Sequence, residues 1–283
     1  MELKTMRFDV EPTGVAVLTL DRPGSLNAWT GRMHTELRWV MERAENDDGV
    51  RVVIITGAGR GFCSGADMTA LAGHAERGGY DPGTAPELAE PGYGVDPSFE
   101  ADFAWMLGLD TVVIAAVNGP AAGVGLVLAC WCDLRFIWSG AKLTTAHGRL
   151  NLPPEYGLSW LLPRLVGRTN ANDLLLSSRV FLGDEAGHMG LANSVVSDAQ
   201  QVLAAARSYA EEMVRTVSPA SLATTKRQLS LDLLHDDPAA AVNSAQHLLE
   251  SMMRQPDYAE GLRAFTERRG PRWSQPPSPT GGP

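Results

Sequence analysis

The chain has 283 residues, 44% of them hydrophobic, and a formal net charge of −9. That length suits one large domain or a domain with an appended subdomain, and the mixing of polar and apolar residues predicts a packed soluble core. The acidic balance argues against a nucleic-acid-binding or anionic-membrane surface, and no stretch approaches the ~20 uninterrupted apolar residues of a membrane span.

The segment Met1–Arg7 lacks the apolar core of a signal peptide. The three cysteines, Cys63, Cys130 and Cys132, are an odd, small set that fits a reducing cytoplasm. Cys130-Trp131-Cys132 sits in an apolar run with no His or acidic partner at ligand spacing, so no metal is expected there.

In chain order, Val15–Leu20 reads as a strand and Thr30–Ala44 as an amphipathic helix. Val52–Thr56 and Val112–Val117 are β-branched apolar runs of the kind buried on both faces of a parallel sheet. Leu126–Cys132 reads as a buried helix and Leu134–Trp138 as a further strand. Short strands alternating with helices predict an α/β core with right-handed crossovers. Residues 74–97 are rich in Gly and Pro and are expected to form a lid-like loop. After Asp198 the pattern turns helical: Ala199–Val217, Pro219–Leu234, Pro238–Gln255 and Pro256–Arg268, with Pro in the first turn of three of them. The division expected is a core over 1–198, a helical subdomain over 199–270 and a disordered tail over 271–283, dominated by Pro, Ser, Gly and Thr.

Two glycine-punctuated segments carry the chemistry. Gly61-Phe62-Cys63-Ser64-Gly65-Ala66-Asp67 follows the Val52 strand, and Asn118-Gly119-Pro120-Ala121-Ala122-Gly123-Val124-Gly125 follows the Val112 strand. Each is built to leave backbone N–H groups free at a turn. Two such donors facing one point form an oxyanion hole, a site for charge developing on a carbonyl oxygen.

With these residues the chain resembles the crotonase family, the enoyl-CoA hydratase/isomerase superfamily. The likeness runs from Val10 to about Trp273 and rests on four segments in order: Leu20 through Ala28 (L-x-R-P-x-x-x-N-A), Phe62 through Asp67 (F-C-x-G-A-D), Asn118 through Asp133, and Leu161 through Gly167. The resemblance implies a spiral of ββα units with a C-terminal helical subdomain, homotrimers or dimers of trimers, and an acyl-CoA thioester as substrate, with coenzyme A the only cofactor-like group. It places the oxyanion hole on the N–H groups of Ala66 and Val124. It also implies coenzyme A contacts at Arg22, Ser25, Leu26, Ala28, Gly65 and Lys226, with Phe265 and Arg268 at the adenine end. Trp29, Trp105 and Met106 either line the acyl pocket or pack the core.

The acid–base residues depart from the hydratase pattern. The two hydratase glutamates correspond to Val127 and His147, neither a carboxylate. Some family isomerases instead carry a single glutamate in a segment like Pro154-Glu155. Glu155 therefore has two readings: a catalytic acid/base with a pKa raised by its apolar surroundings, or a first-turn helix residue. His147 reads as an acid/base partner of Glu155 for water attack or as a packing residue. Asp67 is expected to cap a helix and Asp133 to satisfy backbone donors; Cys63 reads as a small core residue. The reaction expected is double-bond isomerisation or hydration of an enoyl-CoA through Glu155. The alternatives are a hydrolase using His147 and Glu155, and a non-catalytic acyl-CoA-binding protein.

Overall fold

The computed structural model describes residues 1–77 and 89–274. Strands β1 (Met6–Val10) and β2 (Val15–Leu20) form an antiparallel hairpin, and β2 passes through helix α1 (Gly31–Glu45) to β3 (Val52–Gly57). Thr30 caps α1, its hydroxyl accepting from the Met33 N–H at 3.2 Å. After α2 (Met68–Arg77) the chain returns as β4 (Val112–Val117), β5 (Ala121–Ala122), α3 (Val124–Trp131), β6 (Leu134–Trp138) and β7 (Lys142–Thr144). Helix α4 (Leu158–Ser177), β8 (Phe181–Leu182), α5 (Gly183–His188) and β9 (Ser194–Val196) complete the core, followed by α6 (Val202–Thr216), α7 (Pro219–Asp232), α8 (Pro238–Met252) and α9 (Pro256–Glu267).

The main sheet has the order β1-β2-β3-β4-β6-β9, with every pair after the first hairpin parallel. A small second sheet, β5-β7-β8, stands beside it. All residues of β2, β3 and β4 are buried, as their unbroken apolar runs require. Alternate residues serve two cores. Ala16, Leu18, Val53, Ile55, Val113 and Ala115 pack in one core with residues of α1, α3 and α4. Val15, Val52, Ile54, Val112, Ile114 and Ala116 pack with Val202, Ala206, Ala210 and Val214 of α6.

Three strands occupy the stretches the sequence predicts, and β3 runs one residue further, to Gly57. Helix α6, which follows the expected division at 198, forms the apolar layer over the sheet's second face. Two expectations are corrected. The buried helix begins at Val124, two residues before the expected Leu126, because Gly123 (φ 49°, ψ −122°) turns the chain and the helix starts at once. Residues 271–274, assigned to the disordered tail, are fastened to α9. The Arg272 N–H donates to Glu260 at 2.8 Å, the Ser274 N–H to Asp257 at 2.8 Å, and the Trp273 ring lies beside Gly261. Residues 275–283 lie outside the described residues. Of the expected 74–97 loop, 74–77 end α2 and 78–88 lie outside the described residues. Its far end is held by α1, where Arg38 Nε donates to the Ala89 carbonyl at 2.7 Å and the Glu90 N–H donates to Glu42 at 3.0 Å.

The C-terminal helices are tied to the sheet through Lys226 on α7. Its buried ammonium donates to Asp133 Oδ2 and to the Thr111 carbonyl, each at 2.7 Å, while the same Asp133 oxygen accepts from the Val113 N–H at 2.7 Å. Lys226→Ala leaves the Thr111 carbonyl without this donor and Asp133 with the Val113 N–H but without its counter-charge. The expected loss is about 2–3 kcal/mol in urea unfolding, below the ~3–5 kcal/mol of a fully buried pair because Asp133 keeps some solvent contact.

Candidate active site

The two glycine segments are docked on each other at the carboxyl ends of β3 and β4. The Phe62 and Cys63 N–H groups donate to the Pro120 carbonyl at 3.2 and 3.1 Å, and the Ala122 N–H returns a bond to the Cys63 carbonyl at 3.0 Å. Two glycines permit this approach. At Gly125 a Cβ would fall 2.2 Å from the Cys63 oxygen. At Gly65, with φ +102°, a Cβ would meet the Ala122 oxygen at 3.1 Å in a backbone region that L side chains rarely adopt.

Ala66 lies opposite Trp29 in a single parallel bridge. The Trp29 N–H donates to the Gly65 carbonyl at 2.7 Å, and the Trp29 carbonyl accepts from the Asp67 N–H at 2.9 Å. In such a bridge the polar groups of the residue between the two bonds point away from the partner strand. The Ala66 N–H accordingly has no acceptor among the described residues, and Ala66 itself is exposed. The Val124 N–H opens α3 before its first intrahelical bond, which runs from the Val127 N–H to the Gly123 carbonyl at 3.0 Å. Val124 to Trp131 are all buried, so this end of the helix dipole stands in an apolar surround, where its pull on an anion is little screened.

The turn Arg22–Ala28 closes over these residues. The Leu26 carbonyl accepts from the Ser64 N–H at 3.0 Å, and Ser64 Oγ donates to the Ser25 carbonyl at 3.2 Å. Asn27, fully buried, organises the turn: Oδ1 accepts from the Arg22 N–H at 2.8 Å, and Nδ2 donates to the Ala58 and Gly61 carbonyls at 3.0 and 2.8 Å. Arg22, Ser25, Leu26, Ala28 and Gly65 are thus brought together in one group. Arg22, however, is engaged within the chain, donating to the Ala28 carbonyl and to Asp67 Oδ2 at 3.0 Å. Lys226 is not part of this group, since its ammonium is held in the Asp133 contact described above. Phe265, 87% exposed, and Arg268 stand at the end of α9. Trp29, Trp105 and Met106 are all buried in the core.

Asp67 caps α2 as expected, Oδ1 accepting from the Thr69 N–H at 3.0 Å. Burial pushes its pKa up, but the bonds from Arg22 and Thr69 outweigh this and hold the carboxyl below its usual range. Asp67 is therefore an ionised, weak base. The buried Cys63 thiol is pushed up to about 12 by burial, which leaves it inert as a nucleophile near neutrality.

The acid–base candidates come from the loop between β7 and α4. His147 is buried and opens a 3₁₀ turn; Val127, on α3, is buried in the core. Glu155 is half-buried, and burial pushes its pKa up, with the nearby His147 opposing that shift. Its neighbour Tyr156 is fixed by the Trp131 Nε1–H bond to its carbonyl (3.0 Å) and by edge contact with Phe103, centroids 5.0 Å apart. Tyr156 forms part of the wall of a 570 Å³ cavity also lined by Phe99, Leu107, Trp131 and Trp160.

Residues 11–276 match the model of the enoyl-CoA hydratase/isomerase family, and the chain belongs to that family, with the crotonase fold. It is 34% identical to the 1,2-epoxyphenylacetyl-CoA isomerase of Escherichia coli over 92% of this chain and 95% of that protein. It is 33% identical to a probable enoyl-CoA hydratase of Rhodobacter capsulatus over 97% and 99% of the two chains. The crystal structure of a probable enoyl-CoA hydratase/isomerase from Mycobacterium abscessus superposes with a TM-score of 0.80 at 33% identity, covering 97% of this chain and 99% of that one.

Gly125→Ala forces the second segment off Cys63 and displaces the Val124 amide. Turnover of an acyl-CoA thioester is expected to fall, by ~100-fold or more where the Val124 amide acts as an oxyanion donor, with circular dichroism of the helices largely retained.

Proposed function

We propose that this enzyme isomerises the double bond of an enoyl-CoA, using the Ala66 and Val124 amides to hold the thioester enolate and Glu155 to move the proton. The observation that carries the reading is the state of the three acid–base positions. Val127 is apolar and buried, position 147 holds histidine, and Glu155 is the carboxylate whose proton affinity is raised by burial. Hydration by a pair of glutamates would need carboxylates at positions 127 and 147, which hold Val127 and His147. A 1,3-proton shift needs only one.

In the proposed reaction the Glu155 carboxylate removes a proton from C2 of a 3-enoyl-CoA. The C–H electron pair enters the conjugated system as a dienolate, with its charge on the thioester oxygen. The two amides stabilise that oxygen, each contributing about 3–4 kcal/mol in the transition state. Protonated Glu155 then delivers the proton to C4, and the double bond is left between C2 and C3. No electrons leave the substrate and no cofactor is consumed. The cavity beside Tyr156, lined mostly by aromatic and aliphatic side chains with Ser98 and Asp102 at its wall, supports an acyl group at this end. The name of the Escherichia coli relative, an acyl-CoA isomerase, supports the same reaction class. The turn at Ser25–Ala28 and Gly65 is assigned to the pantetheine and nucleotide of coenzyme A, with Phe265 and Arg268 at the adenine. Exposed apolar residues on α8 and α9, among them Val242, Leu249 and Leu262, support assembly as a homotrimer.

Hydrolysis is the second reading, favoured by the electrostatic influence of His147 on Glu155. Release of free CoA, abolished in His147→Ala, would select it.

A base acts only when deprotonated, so a raised pKa moves the acidic limb of activity upward. In a 3-enoyl-CoA isomerisation assay kcat/KM is expected to rise with pH through one group titrating above the usual carboxylate range. Glu155→Gln is expected to lower kcat by ~100-fold or more while acyl-CoA binding by calorimetry is kept. Full activity in Glu155→Gln would remove Glu155 from the mechanism.

A further inference from the structure

The Trp29–Ala66 bridge contains only two backbone hydrogen bonds. Such an isolated bridge has no neighbouring ladder to fix its twist, yet it determines where the Ala66 N–H points. The guanidinium of Arg22 spans it. One nitrogen donates to the Ala28 carbonyl, on the residue before Trp29, and another donates to Asp67 Oδ2 at 3.0 Å, on the residue after Ala66. The two segments are therefore joined by two cross-strand backbone bonds and, across the same bridge, by one planar fork. Arg22 is itself anchored, its N–H donating to Asn27 Oδ1 at 2.8 Å and its carbonyl accepting from the Ser25 and Asn27 N–H groups at 3.0 Å each. Asp67 is anchored from the other side by the Thr69 N–H at 3.0 Å.

Resting on the oxyanion-hole reading above, we propose that Arg22 and Asp67 form a positioning pair that sets the direction of the Ala66 N–H, with neither residue touching the substrate. The fork geometry matters more than the charge. A guanidinium reaches a carbonyl and a carboxylate at once from a fixed plane, which an ammonium does not reproduce. A donor that swings away from the developing oxyanion loses its catalytic effect while the site still binds substrate. The pair thus acts on turnover rather than on affinity. This role also differs from phosphate binding, the other use for an arginine in this turn.

The test uses the full-length enzyme with cinnamoyl-CoA as a bound chromophore. In the wild-type protein, polarisation of the thioester carbonyl by the two amides shifts its absorbance to the red and lowers its carbonyl stretching frequency. Arg22→Ala and Asp67→Asn are each expected to lose most of that shift and ~10- to 100-fold in kcat, with KM changed less than about threefold. Arg22→Lys is expected to recover only part of both. The double substitution is expected to lose no more than the worse single one, as for residues acting as one unit. The same loss is expected with N-acetylcysteamine thioesters, which carry no phosphate. Asp67→Asn keeps an acceptor for the Thr69 N–H, so it decides the matter if Arg22→Ala does not fold. A full spectral shift in Asp67→Asn overturns the pair, as does a loss confined to CoA-borne substrates, which would make Arg22 a phosphate ligand. Absence of any shift in the wild-type enzyme would instead overturn the oxyanion-hole reading itself.

Discussion

The contact on which the site depends is the close approach of two backbone segments, Phe62–Ala66 and Pro120–Gly125. It is made almost entirely of main-chain groups. The Pro120 carbonyl takes two N–H groups, the Cys63 carbonyl takes one, and Gly125 leaves the space into which the Cys63 oxygen fits. A parallel sheet delivers the two segments side by side, since β3 and β4 are neighbours and both end at the same edge. The usual place for a ligand on such a sheet is at the carboxyl ends of its strands. Here those ends supply amides rather than side chains. On the proposed mechanism, the electrostatic part of the chemistry is therefore built into the fold before any acid or base is chosen.

That division explains what was legible in the amino-acid sequence. Val15–Leu20, Val52–Thr56 and Val112–Val117 could be read because a strand buried on both faces needs an unbroken apolar run. The glycine segments could be read because close backbone contact excludes a Cβ. The start of α3 was placed two residues late because Val124 and Gly125 have ordinary or poor helix propensity, whereas the turn at Gly123 is a tertiary consequence of docking. The amphipathic pattern of α6 shows that one face is buried but not what buries it; the sheet's second face is the partner. Lys226 shows the limit for single charges. Nothing in its sequence context announces that Asp133 and the Thr111 carbonyl already hold it. Trp273 and Ser274 sit in a Pro- and Ser-rich stretch, and only their contacts with α9 show that order continues that far.

The acid–base positions behave differently. Val127 extends a helix that is apolar on every side, while Glu155 lies on a loop whose backbone enters the left-handed region at Tyr156 and Gly157. On the proposed mechanism, placing the proton-transfer group on a loop and the charge-stabilising amides on a rigid sheet edge separates two requirements. The amides must not move, whereas a group that collects a proton at one carbon and returns it to another gains from some reach. Burial then tunes the proton affinity of that group, and the aromatic packing of Tyr156 against Phe103 and of its carbonyl against Trp131 limits where the loop can go.

The two-sided sheet carries a consequence for how the molecule can vary. Neighbouring residues of one strand, such as Val53 and Ile54, belong to separate cores that meet at Trp138, which packs against both. Changes of volume in the α6 layer are felt first by α6, and energies of substitutions in the two layers should sum where the sites lie more than ~7–10 Å apart and share no partner. The sheet works as a partition. One side can drift to suit temperature or solubility while the other is held to the geometry of a carbonyl oxygen and a proton.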